Sequence, residues 1–212
     1  MTRAWLLMLG ALAAVGFATL ILVVVPALML VDVPRPPQLR PYTLQQARGR
    51  AVYIANGCIY CHSQQVRDPA FTTDVDRGWG SRASVPADFV YDRPHLVGTM
   101  RTGPDLLNVG QRLPDANWQL IHLYQPRSVV PWSIMPSFPF LFEVRDSSAL
   151  PRGARMVNVT GRHAPPRGKV VVASADAVAL VEYLLSLERD YPVPRVAGRS
   201  VAAGGRTVHT MP

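Results

Sequence analysis

Cysteine is nearly absent from this chain of 212 residues: Cys58 and Cys61 are its only two. Lysine is scarcer still, with Lys169 alone. Two thiols exclude a self-sufficient structural zinc site, which takes four protein ligands. The remaining histidines, His95, His122, His163 and His209, are scattered and supply no compact second pair. A thioredoxin-like dithiol belongs within a βαβ pattern, and none flanks these cysteines. No Ser/His/Asp set, paired acid or nucleotide-binding loop stands out, and there is no internal repeat. The chain therefore presents no catalytic site of its own at which substrate bonds would be made or broken.

Acidic residues are also few: 14 Asp+Glu against 22 Lys+Arg give a net charge of +8. The near-replacement of Lys by Arg fits GC-rich coding. The positive surplus also suits a domain facing anionic lipid headgroups or an acidic partner. The cations are dispersed among Pro and Gly rather than set on a recognition element, which excludes nucleic acid as a partner.

Between Ala4 and Val31 charge is missing altogether. About 20 apolar residues suffice for a helix to cross a bilayer. A secretory signal would have an apolar region of about 7–15 residues and a small-residue cleavage site. This run is longer and ends in "LMLVDVPRPP", without such a site. It reads as an uncleaved membrane anchor over residues 1–32, its surplus length taken up by tilt or a break at Pro26. Arg3 precedes the span, and Asp32 and Arg35 come after it.

Beyond the anchor, residues 43–191 read as one domain, joined through a stiff Pro-rich spacer, 33–42. Thr43 opens a helix with a capping box to Gln46. In that helix Gly49 and Tyr53 share a face, so another helix can cross closely. Residues 63–100 form a long irregular excursion, ordered by Trp79, Phe89 and Tyr91. "RTGPDLLNVG", 101–110, reads as a turn followed by a short helix, and further helices are expected over 115–126 with an Asp115 cap and over 174–190. The prolines of "VVPWSIMPSFPFLF", 129–142, forbid a regular helix. "RMVNVT" and "KVVVAS" read as a β-hairpin within an insertion over 143–172. The Pro/Gly/Arg-rich tail, 192–212, reads as disordered.

Both cysteines lie in "NGCIYCHSQQVRD", residues 56–68. Cys-x-x-Cys-His is the attachment pattern of c-type haem. Each thiol takes up one vinyl group as a thioether, and the next residue, His62, lies under the iron as proximal ligand. In bacteria this attachment occurs outside the cytoplasmic membrane. The anchor would therefore sit in the inner membrane with its N-terminus cytoplasmic and the haem domain periplasmic. Candidates for the second axial ligand are Met100, Met135, Met156 and the four other histidines. Met135 is preferred, because Pro131, Pro136 and Pro139 limit the freedom its loop must lose on ordering. His/Met ligation raises the reduction potential. The Pro104 carbonyl is the expected acceptor for the other His62 nitrogen. Arg67 and Arg101 are candidate partners for haem propionates.

Together, "GCIYCHSQQVR", "RPHLVGTMRTGPDL", "IHLYQPRSVVPWSIMPSFPFL" and the single N-terminal span resemble subunit II of cbb3-type haem–copper oxidases, a membrane-anchored mono-haem cytochrome c. The resemblance covers residues 1–142 and the last helix; the 143–172 insertion and the tail depart from it. It implies a mainly α chain: one transmembrane helix and a class I cytochrome c domain, here with a small β-hairpin insertion. It carries thioethers onto Cys58 and Cys61, and iron ligands onto His62 and Met135. It implies single-electron transfer from a di-haem or soluble cytochrome c donor to a catalytic haem–copper subunit that reduces oxygen. Three rival readings stand beside it: the small cytochrome c subunit of a nitric oxide reductase, a free-standing anchored shuttle, and a haem-free thiol oxidoreductase. The long 63–100 excursion disfavours the first.

Overall fold

The computed structural model describes residues 2–193, so almost all of the 192–212 tail expected to be disordered lies outside it. The N-terminal helices and the globular unit, Pro37–Tyr191, are separate compact units.

The N-terminal unit is nearly continuous helix. Helix α1 (Thr2–Thr19) runs into a π-helical turn (Leu20–Val24) and then helix α2 (Val25–Leu30). Pro26 explains the wide turn. It has no N–H to give, and its ring would crowd the carbonyl four residues back, so the preceding turn widens. The apolar stretch Arg3–Leu30 counts 28 residues. At 1.5 Å per residue that is about 42 Å, more than the roughly 30 Å hydrocarbon core of a bilayer. The helix is long and apolar enough to cross a membrane with tilt.

In the globular unit two helices cross. Helix α3 (Leu44–Ala55) starts with the capping box, Gln46 N–H donating to Thr43 Oγ1 at 3.2 Å and Thr43 N–H to Gln46 Oε1 at 2.9 Å. The last helix (Ala175–Leu185, α6 below) is capped by Ser174. They meet at Gly49, where a Cβ would lie 1.8 Å from the Ala179 carbonyl oxygen. Only hydrogen fits there, which is why the chain places glycine at the crossing. Beside it Tyr53 and Tyr183 pack edge to face, ring centres 5.7 Å apart. The expected spacer does not stay outside this core: Leu39 is buried and Tyr42 packs on Tyr183 at 5.6 Å.

Between the crossing helices lie a short helix α4 (Val109–Arg112) and helix α5 (Ala116–Tyr124), the latter capped by Asp115 accepting from Asn117 N–H. A small antiparallel sheet comes next, with strands β1 (Phe142–Asp146), β2 (Arg155–Val157) and β3 (Lys169–Ala173) in the order β1-β3-β2. The expected hairpin is β2 and β3. The third strand, β1, was not anticipated. It pairs with β3 across a long connection, so no turn signal marks it. One sheet face, with Phe142, Val157 and Val171, joins the core shared with α5 and α6.

Candidate functional site

The site grows from the end of α3. There a single 3-10 turn, Cys58–Tyr60, leads to His62, whose N–H donates to the Cys58 carbonyl at 3.0 Å. Both cysteines are unbridged thiols. Burial pushes the Cys58 thiol up to about 11, so it stays protonated near neutral pH. A protonated thiol is a poor redox nucleophile.

Cys58, Cys61, His62 and Met135 all line one cavity of about 470 Å³. His62 Nδ1–H donates to the Pro104 carbonyl at 2.8 Å. That bond fixes the ring and leaves Nε2 as the nitrogen able to ligate. Burial lowers the His62 pKa, and the Pro104 bond opposes the shift. The backbone at Gly103 lies directly against this ring: a Cβ there would come within 2.2 Å of His62 Cε1. Gly103 N–H also donates to the Cys61 carbonyl at 2.9 Å, tying the 102–104 loop to the cysteine segment.

Asp105 completes the seam. Fully buried, it accepts from Ser63 Oγ at 2.6 Å, Gln65 N–H at 2.7 Å and Leu107 N–H at 2.9 Å. It thereby holds the chain after His62 against the loop carrying Pro104. Sequence reasoning passed over Asp105, although it directly follows Pro104.

The opposite wall comes from α5 and the Pro-rich loop behind it. Trp118, Gln119, His122 and Leu123 line the cavity from one face of α5. Loop 130–136 is pinned nearby, with Phe138 N–H donating to the Leu123 carbonyl and Ser137 Oγ to Gln125 Oε1. Of the other ligand candidates, His122 lines the cavity, whereas Met100, Met156, His95 and His163 do not. Met100 and Met156 are more than half exposed. His209 lies outside the described residues. The His122 ring stacks on Trp118 at 4.8 Å, and its Nδ1 is buried without a partner. Burial, with a smaller contribution from His62, brings its pKa down to about 4.

Arg67 and Arg101 do not line the cavity. Arg101 is held by Asp74, by Ser63 Oγ at 2.8 Å and by the Gln65 carbonyl at 2.6 Å; Arg67 donates to the Thr99 carbonyl at 3.1 Å. The guanidinium that does line the cavity is Arg112. It donates to the Asp105 carbonyl, and its Nε is buried without a partner. Burial lowers its pKa. This is the cation placed to meet a carboxylate inside the cavity. Its signal in the sequence was only its place in the short helix after Pro104.

The donor set fits a haem. The cavity offers two thiols at one edge, an imidazole, a thioether and a buried guanidinium, within otherwise largely apolar walls. A flat apolar macrocycle with two vinyl groups, an iron and acidic tails matches that chemistry.

A search of curated proteins finds no match. A family model described as "Cytochrome C oxidase, mono-heme subunit/FixO" matches residues 1–177, running through the 143–172 stretch that the resemblance had left out. The chain belongs to this FixO family of mono-haem cytochrome c oxidase subunits.

Proposed function

We propose that the Pro37–Tyr191 unit is a class I cytochrome c domain carrying one covalent haem c. In this reading it passes single electrons to the catalytic subunit of a cbb3-type oxidase. A bound haem supplies one-electron exchange at its iron, and His/Met ligation sets a raised potential. Everything else falls to the residues. Cys58 and Cys61 hold the group as thioethers. His62 Nε2 and Met135 Sδ hold the iron, with Pro104 orienting the imidazole through Nδ1 and Asp105 orienting the loop. Arg112 meets a propionate. The apolar walls from α5, α6 and loop 130–136 exclude water.

The observation that carries this reading is the meeting of Cys58, Cys61, His62 and Met135 around one cavity. The Met135 thioether comes from more than 70 residues further along the chain, and besides lining this cavity it packs on the core. The apolar helix Arg3–Leu30 supports a membrane anchor; in this reading the membrane is the inner one, the domain is periplasmic and electrons arrive from a di-haem or soluble cytochrome c.

Mass spectrometry of the mature chain tests the attachment. One haem-sized mass increase with neither thiol alkylatable is the expected result; an unmodified mass with both thiols open sinks the reading. Met135→Ala is expected to abolish the low-spin His/Met spectrum, and its survival would move the ligand elsewhere, His122 first. Copper and b-type haem are expected to co-purify with the chain from mild detergent.

A further inference from the structure

The charge of the globular unit is unevenly placed. Residues 143–172 hold six basic side chains and two acidic ones, a net +4. The rest of Pro37–Tyr191 balances eleven basic against eleven acidic residues. All six cations of the excursion are exposed. Arg145 pairs with Glu143 at 2.5 Å and Lys169 with Asp146 at 3.4 Å. Arg152, Arg155, Arg162 and Arg167 have no acidic partner among the described residues.

These cations surround a shaped surface. Arg145, Arg152 and Arg155 line a groove of about 430 Å³ together with Val172, Val178 and Glu143, the carboxylate already paired with Arg145. β1 and β2 are the two edge strands of the sheet. Met156, 54% exposed, lies across from Val172 on the same sheet face and adds apolar area beside it. Elsewhere in the excursion the turn Gly161–His163 packs against Pro126–Ser128. From there the chain continues into Val130 and Trp132 on the cavity wall.

We propose that residues 143–172 form a docking surface for an acidic, extended segment of a partner protein, centred on Arg152 and Arg155, the two cations of this groove that have no internal carboxylate. Charge complementarity selects the occupant. Guanidinium forks without internal carboxylates bind carboxylates from outside, in paired geometry. A concave groove beside open strand edges accepts a polypeptide, which can fill the groove and pair with a strand edge. A bilayer surface cannot enter it. Such a site speeds and orients association more than it tightens it. The inference rests on charge and shape, not on the haem.

The test uses the full chain in detergent and a fluorescent poly-glutamate peptide, monitored by anisotropy at low and high salt. The wild type is expected to bind, and salt to weaken it. Arg152→Gln/Arg155→Gln is expected to weaken binding about tenfold, the loss of two partly exposed charge pairs. The control Arg40→Gln/Arg93→Gln, which neutralises two exposed cations outside the excursion, is expected to bind as the wild type does. Equal weakening in both variants overturns the proposal, as does absence of binding. So does binding to anionic phospholipid vesicles, sensitive to Arg152 and Arg155, without binding to the peptide. Circular dichroism confirms that each variant is folded. The readout needs no electron transfer, so failure here leaves the haem reading standing, and failure of that reading leaves this test intact.

Discussion

Residues 63–100 and 143–172 are both long excursions from a helical core, yet they are held in opposite ways. The first has one short 3-10 turn, Pro86–Phe89, and no strand. Buried carboxylates hold it. Asp88 is fully buried and accepts from Arg82 through both terminal nitrogens, at 2.8 and 2.9 Å, and from Val85 N–H at 2.9 Å. Asp74 accepts from Arg101 and from Arg67 N–H. Asp92 pairs with Arg50 and accepts from Tyr42. The second excursion is held by backbone, through the β1-β3-β2 ladder, with Val171 fully buried at its centre. The first region buries three carboxylates, Asp74, Asp88 and Asp92, whereas every charge of the second is exposed. An irregular loop must satisfy its backbone with side chains, whereas a sheet satisfies itself and leaves its charges available for outside contacts.

Breaking the first region is expected to cost the most. Asp88→Ala leaves Arg82 and Val85 N–H without their partner, and removing one member of a buried pair costs about 3–5 kcal/mol. Chemical denaturation of the variant checks this, and a loss under about 1 kcal/mol would show that the loop is held otherwise. In the second region the sensitive position is apolar. Val171→Ala removes two buried methyl groups' worth of packing, about 2 kcal/mol with its cavity, read from the same denaturation midpoint.

A smaller, graded effect separates the regions by pH. Burial raises the Asp74 pKa, but the bonds from Arg101 and Arg67 N–H outweigh it and leave the carboxyl below its ordinary 3.8. A carboxyl depressed on folding stabilises fully above its unfolded value, and that stability is lost as pH falls below it. The melting temperature is therefore expected to fall through and below about pH 4 in the wild type. In Asp74→Asn this pH dependence is expected to be shallower; an unchanged slope would remove Asp74 from the account. The smallest effect is expected at the displayed charges. Arg152→Gln should shift stability by less than about 0.5 kcal/mol, and a larger loss would mean that the excursion uses its cations internally.

What the sequence made legible was local. Thr43 with Gln46, and Asp115, marked two helix starts by their own side chains. Gly49 and Tyr53, four apart, announced a close crossing. The cysteine and histidine cluster is contiguous, so its chemistry could be read directly. The long-range choices were hidden. Strand β1 needs β3, whose pairing residues lie beyond the intervening loop, and nothing in "FEVRD" identifies that partner. Arg101 looked available for a carboxylate in the cavity, but which buried carboxylate claims it depends on how 63–100 folds back. Arg112 and His122 reach the cavity only because α4 and α5 are placed around it.

The contact between Gly103 and the His62 ring does more than save space. With a hydrogen at 103 the main chain serves as a flat shelf for the imidazole, and the neighbouring Pro104 carbonyl sets the ring's azimuth. A methyl group at 103 would push the ring off that shelf while the helix crossing at Gly49 and the sheet remain untouched. Position 103 is thus a dial on the tilt of the His62 imidazole.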